Sequence, residues 1–337
     1  MVEQRMKKVF VLICNSNLFV PYVLSEVMNH RDKAFLIMSD IENMVRFFNE
    51  MSLPNMAVLR YSQSTSTTFL KIKRKLLAQT APYDIQSICF FHAEYGGIIN
   101  WFLQRKAKEG VEIFYCKVFS SMPYSRASGF LALRFRFLYR LLNGVDVDVL
   151  CGVNRFIPSL PQRFFDRVGA IPYEIKIDYD AISLLISQCF PDVGSDAKVV
   201  LLTGSNVAMN MVEEEEYTVK TNALINAIGK DKCIAKCHPR FNDLFGEESE
   251  LRAIPSYIPG NLVIGKYDVF IGNHSTLLVE AAVAGKLAIS LLDYYEQKDV
   301  AQKGTVKAFF QDRLGGRGII HYPATIEEIL TLIHNIK

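Results

Sequence analysis

Five short clusters hold residues whose types and order could do chemistry. The densest is Ile234-Ala235-Lys236-Cys237-His238-Pro239-Arg240-Phe241. A guanidinium can grip a phosphate through two hydrogen bonds, an imidazole can hand a proton to a departing oxygen, and the proline fixes the chain direction. The same residues would also serve as a structural His-Pro turn between surface charges. The second cluster is Gly272-Asn273-His274-Ser275-Thr276, followed by Glu280 and the small run Ala281-Ala282-Val283-Ala284-Gly285. Ser275 or Thr276 at a helix start would set a hydroxyl beside free backbone N–H groups, an arrangement that suits an anion. An ordinary helix cap explains them equally. Glu280, one turn inward, could reach ribose hydroxyls or face solvent.

The other three clusters are weaker. Thr203-Gly204-Ser205-Asn206 could touch a nucleotide base or phosphate through its backbone. His92-Ala93-Glu94-Tyr95-Gly96-Gly97 sets a carboxylate on a glycine turn, where Glu94 could act as a general base. The alternative is a glycine-containing connection with an incidental acid. Asn15-Ser16-Asn17 is a polar turn that could hold a sugar acceptor. No Gly-Lys-Ser/Thr phosphate loop, GxGxxG, Asp-x-Asp pair or Gly-x-Ser-x-Gly is present. Their absence lowers the case for an ATPase, a dehydrogenase, a metal-dependent transferase and an α/β-hydrolase. Cys233-x3-Cys237-His238 has no second Cys/His pair at ligand spacing, so neither a metal nor a cofactor is expected.

The elements that must carry these clusters follow from composition and periodicity. Lys plus Arg is 38 against 35 Asp plus Glu, a formal charge of +3, too small an excess for a nucleic-acid binder. Half of the 337 residues are hydrophobic, which predicts large cores. No apolar run reaches the ~18 residues of a membrane span. The seven cysteines are scattered, mostly within apolar runs, and read as reduced core thiols of a cytoplasmic protein. Basic and aromatic residues interleave over 126–140; such a helix could rest on an anionic membrane at the inner face, or pack with one face buried. Pairing with a second copy is also open.

Short apolar runs alternate with amphipathic stretches. Strands are predicted at 9–14, 34–38, 57–59, 88–91 and 111–118, with helices at 18–29, 41–51, 98–108 and 130–142 and a basic helix after the Ser/Thr cluster at 62–68. Residues 152–198, rich in proline and glycine, break the pattern. Strands follow at 198–203, 232–236, 267–271 and 287–292, with helices at 214–228, 277–284 and 325–336. The expectation is α/β: two Rossmann-like domains with parallel sheets facing a cleft, an N-terminal acceptor-side domain over 1–185 and a C-terminal nucleotide-sugar domain over 186–337. Ligands of open α/β sheets bind at the carboxyl ends of strands, where all five clusters fall.

With these residues in hand, the chain resembles the bacterial sialyltransferases of GT-B architecture that build lipooligosaccharide and polysialic acid. The resemblance lies in Val9-Phe-Val-Leu-Ile-Cys-Asn-Ser-Asn-Leu-Phe19, Lys236-Cys-His238-Pro239-Arg240 and His274-Ser275-Thr276. It implies an inverting, metal-independent glycosyltransferase that moves sialic acid or a related sugar acid from a CMP-linked donor to a surface glycan such as a capsule polysaccharide. His238 would bind or protonate the departing phosphate, and Ser275 and Thr276 would hold it. Lys236, Pro239, Arg240, Asn273, His274, Glu280, Thr203, Gly204 and Ser205 would complete the nucleotide site. The family's acidic pair before glycine is here the single Glu94-Tyr95-Gly96. A transferase using a UDP- or CDP-linked donor, or a non-catalytic protein of polysaccharide assembly, are the alternatives.

Overall fold

The computed structural model describes residues 7–62, 68–91, 96–116, 168–193, 197–203, 206–208, 210–238 and 244–336. The chain divides into two compact units, Met1–Asp178 and Tyr179–Lys337. The boundary expected at 185/186 falls inside a continuous helix, Tyr179–Cys189.

In the first unit the described elements are β1 (Lys7–Ile13), α1 (Val20–Asn29), β2 (Phe35–Ser39), α2 (Glu42–Met51), β3 (Met56–Arg60), α3 (Phe69–Thr80), β4 (Tyr83–Phe90), α4 (Gly96–Lys108), β5 (Glu112–Cys116) and β6 (Ile171–Tyr173). The strands form one parallel sheet in the order β3-β2-β1-β4-β5-β6. β2 is buried along its whole length, which accounts for its unbroken apolar run rather than an alternating one. Val9, Val11, Ile13, Leu36, Met38, Ile88 and Phe90 pack one face against Phe69 and Leu76 of α3 and Ile98, Trp101 and Phe102 of α4. Right-handed crossovers put α1 and α2 on the other face.

The second unit repeats the plan with α5 (Tyr179–Cys189), β7 (Val199–Thr203), α6 (Glu214–Ile228), β8 (Cys233–Cys237), β9 (Ala253–Ile254), β10 (Val269–Gly272), α7 (Leu277–Val283), β11 (Leu287–Ser290), α8 (Val300–Leu314), β12 (Ile320–His321) and α9 (Ile326–His334). Its parallel sheet runs β12-β11-β10-β7-β8-β9. Each sheet is therefore built outward from its first strand, two strands to one side and three to the other. This is the doubly wound Rossmann order. Together the two units make a two-domain Rossmann-like α/β protein.

Several elements were not foreseen. The proline-rich stretch carries β6 and α5, because Ile171-Pro172-Tyr173 is an edge strand, where a missing N–H is tolerated. β4 begins at Tyr83, well before the apolar run, since Asp84 and Gln86 lie toward the partly exposed start of the strand. α8 has only weak apolar periodicity, with Val306, Phe310 and Leu314 as its buried stripe. Thr68 precedes α3 but its hydroxyl caps nothing. Among the described residues no helix is long and apolar enough to cross a membrane. The predicted 130–142 helix and the basic stretch 126–140 lie outside the described residues.

Candidate functional site

A doubly wound sheet has one place where neighbouring strands send their following loops to opposite sides. In the second unit it lies between β7 and β10, whose carboxyl ends are Thr203 and Gly272. Ligands of such sheets bind outside this point. The two strongest sequence clusters follow β8 and β10, on either side of β7, and the third follows β7 itself.

His238 continues β8: its N–H donates to the Thr203 carbonyl at 3.1 Å, so its backbone is pinned to β7 and its half-buried side chain leaves the sheet at the edge. Strand alternation places Lys236 and His238 on the face opposite Cys233 and Ala235, which sit in the core against α6. Lys236 is 5% exposed, and burial pushes its ammonium down to about 8. Its Nζ donates to the Cys237 carbonyl at 3.0 Å. No carboxylate among the described residues forms an ion pair with it. A buried, uncompensated ammonium is costly, and an arriving anion would remove that cost.

His274 is buried, and its imidazole is pushed down to about 4, first by burial and second by the nearby His238. At neutral pH it is therefore an uncharged ring able to donate one N–H. Asn273 is anchored by its carbonyl, which accepts from the Ser290 hydroxyl at 2.7 Å, and by its side-chain amide, which Gln297 meets at 3.3 and 3.4 Å. These contacts fix the turn that presents His274 and Ser275. The Ser275 oxygen accepts from the Leu277 N–H at 3.3 Å, whereas Thr276 occupies the cap position without a side-chain cap bond. The expected cap is therefore Ser275 acting one residue early. α7 is only seven residues long, so its dipole adds little. Gly272 also has a role other than ligand approach: a Cβ there would lie 2.8 Å from the Leu202 Cβ, so this glycine closes the sheet.

Glu280 accepts a hydrogen bond from the Asn261 side chain, and burial nonetheless pushes its carboxyl up to about 7. Glu280 is half-buried rather than fully exposed. Thr203 is 3% exposed, and its hydroxyl has no hydrogen-bond partner among the described residues. The structure thus brings Thr203, Lys236, His238, Asn273, His274, Ser275, Thr276 and Glu280 to one sheet edge and the helix that follows it. Gly204, Ser205, Pro239 and Arg240 lie outside the described residues.

In the first unit the equivalent switch point lies between β1 and β4. Asn15, Ser16 and Asn17 follow β1, and Ser16 caps a 3-10 turn by accepting from the Leu18 N–H at 3.4 Å. Phe91, after β4, stacks on Phe19 with ring centroids 5.3 Å apart. His92 and Glu94, just beyond, lie outside the described residues.

Sequence reasoning missed a buried polar network behind the site. The Tyr217 hydroxyl donates to Glu248 at 2.5 Å and also bonds the Asn206 side chain. Glu248 is 1% exposed, and its other oxygen accepts from the Phe245 N–H at 3.3 Å. The network ties the loop after β7 to the loop after β8. Nothing in Gly246-Glu-Glu-Ser-Glu250 marks one of its acids as buried; that signal exists only in three dimensions. Burial pushes Glu248 up to about 7, despite its hydrogen bonds. The folded state holds this proton more tightly than the unfolded chain, so the contribution is complete below about pH 4.5 and is lost as pH rises through about 7. Glu248→Gln should flatten that slope, with the largest gain relative to wild type at pH 8 in urea unfolding. A slope unchanged by the variant would mean that Glu248 is ionised throughout.

No protein-family model matches the chain, and no curated protein matches it in sequence. Among solved structures it is similar to MurG of Acinetobacter baumannii, with 12% identity, a TM-score of 0.42 and coverage of 98% of this chain and 90% of that one. It is similar to UDP-GlcNAc 2-epimerase of Methanocaldococcus jannaschii, with 14% identity, a TM-score of 0.46 and coverage of 98% and 92%. It is also similar to the GT-B domain of a sialyltransferase from Photobacterium damselae, with 13% identity, a TM-score of 0.45 and coverage of 94% and 100%.

Proposed function

We propose that the chain is a glycosyltransferase of GT-B architecture whose second unit holds the phosphate of a nucleotide-sugar donor, and that this donor is a CMP-linked sugar acid. The observation that carries the reading is the convergence of His238, a buried uncompensated Lys236, a neutral buried His274 and the Ser275 and Thr276 hydroxyls around the switch point of one sheet. Every group in this set is a cation or a hydrogen-bond donor, and donors fixed before reaction stabilise charge that develops on a departing phosphate. His238 binds or protonates that phosphate, and Glu280 meets the ribose. The preference for CMP rests on the resemblance of the Lys236–Arg240 and His274–Thr276 motifs to those of bacterial sialyltransferases.

Thermal shifts with CMP, CDP, UDP and GDP test the donor. CMP should stabilise most; a larger shift with UDP or CDP would assign the chain to another donor class, and no shift with any of them would make it non-catalytic. Glu94 is the proposed base that takes the proton of the acceptor hydroxyl. Glu94→Gln should lower transfer ~10²–10⁴-fold while CMP binding stays at the wild-type level. Transfer at the wild-type rate would move the role elsewhere without touching the phosphate site.

A further inference from the structure

A second surface, independent of the nucleotide site, stands out on the first unit. α3 buries Phe69, Leu76 and Thr80 and turns Leu70, Lys71, Arg74, Lys75 and Ala78 to solvent. Positions 70, 74 and 78 follow one another at helical spacing, with 71 and 75 beside them, so these residues form one continuous outward stripe. Neither α3 nor α4 contains an acidic residue. Some exposed cations elsewhere are neutralised locally, as in the Arg46–Glu50 pair at 2.8 Å and the Arg60–Glu42 pair at 3.1 Å. On neighbouring α4, Arg105 and Lys106 pair with Glu109 at 2.7 and 2.8 Å. Lys71, Arg74 and Lys75 form no ion pair with any described residue. Lys73 extends the positive surface toward α4, its Nζ 4.4 Å from the centre of the Trp101 ring.

In a chain whose formal charge is only +3, this concentration of cations on one helix face is local. Leu70, 62% exposed, lies within it. We propose that the outward face of α3 docks onto an anionic lipid bilayer, with Lys71, Arg74 and Lys75 at the headgroups and Leu70 entering the interface. The complementarity is twofold: the cations match the anionic headgroups, and the leucine gains from leaving water, which a fully hydrated polyanion would not reward.

Co-sedimentation of the full chain tests the proposal, with vesicles of phosphatidylcholine alone and of phosphatidylcholine and phosphatidylglycerol in equal parts. Wild type should sediment with the anionic vesicles only, and less so as salt rises. At roughly fivefold per cation, the combined Lys71→Gln, Arg74→Gln and Lys75→Gln variant should partition about a hundredfold more weakly. Leu70→Ser should weaken partitioning severalfold and leave its salt dependence in place. All these side chains face solvent, so unfolding temperatures should match wild type. Equal sedimentation with both vesicle types would overturn the proposal. So would a triple variant that binds like wild type, or capture by soluble dextran sulfate without capture by anionic vesicles.

Discussion

His238→Ala should lower transfer from a CMP-linked donor by about 10²–10³, the usual cost of losing one donor at a site of developing negative charge. The geometry behind this is the 3.1 Å bond from the His238 N–H to the Thr203 carbonyl, which locks the residue to the sheet edge. The alanine variant keeps that backbone bond, so the loss isolates the imidazole. Nucleotide binding should weaken as well, because in the proposed site the ring would contact the phosphate before reaction as well as during it. His238→Gln separates the two effects: it retains an N–H donor but has no proton to give. Binding of CMP should recover with glutamine while transfer stays low. Recovery of both would make His238 a hydrogen-bond donor only. An alanine variant with normal turnover would remove it from the site.

Lys236→Met should do two opposite things. Thermal stability should rise, because methionine fills a similar volume without burying an ammonium that lacks a carboxylate partner among the described residues. Affinity for CMP should fall by about 10–100-fold, the equivalent of one charge-assisted hydrogen bond. The titration of Lys236 gives the same site a pH signature. With the free ammonium at about 8, affinity should decline as pH rises beyond that value, by at most tenfold per unit, and this decline should be absent from the methionine variant. A fall in thermal stability would show that the ammonium depends on a partner in the free protein. Unchanged affinity would leave Lys236 outside the phosphate site.

Much of this arrangement was legible in the residues. Runs such as Phe35-Leu-Ile-Met38 and Val199-Val-Leu-Leu202 are apolar on both faces because both faces are covered, and they announce a parallel sheet. Alternation then placed His238 and His274 just after strands, which is where the structure has them. Three things were not legible. Lys236 looks like an edge residue in Ile-Ala-Lys-Cys-His, yet strand pairing on both sides buries it. Glu248 sits in an acidic run whose other carboxylates pair with Lys230, and its contact with Tyr217, 31 positions away in sequence, distinguishes it. The role of Gly272 depends on Leu202 of the neighbouring strand, a contact that no local spacing encodes. For Lys236 the local pattern gave the strand, and in all three cases a non-local neighbour decides what the residue does.

The claim on which the rest depends is that the second unit binds a nucleotide through its phosphate at the sheet edge shared by β7, β8 and β10. Calorimetric titration of CMP and of cytidine into wild type and the Lys236→Met variant tests it most directly. Cytidine lacks only the phosphate, so the difference between the two ligands is the phosphate's own contribution. CMP should bind wild type at least about tenfold more tightly than cytidine, in keeping with a charge-assisted contact. That advantage should shrink in the variant while cytidine affinity stays the same. Equal affinity of wild type for CMP and cytidine, or an undiminished phosphate advantage in Lys236→Met, would contradict the account.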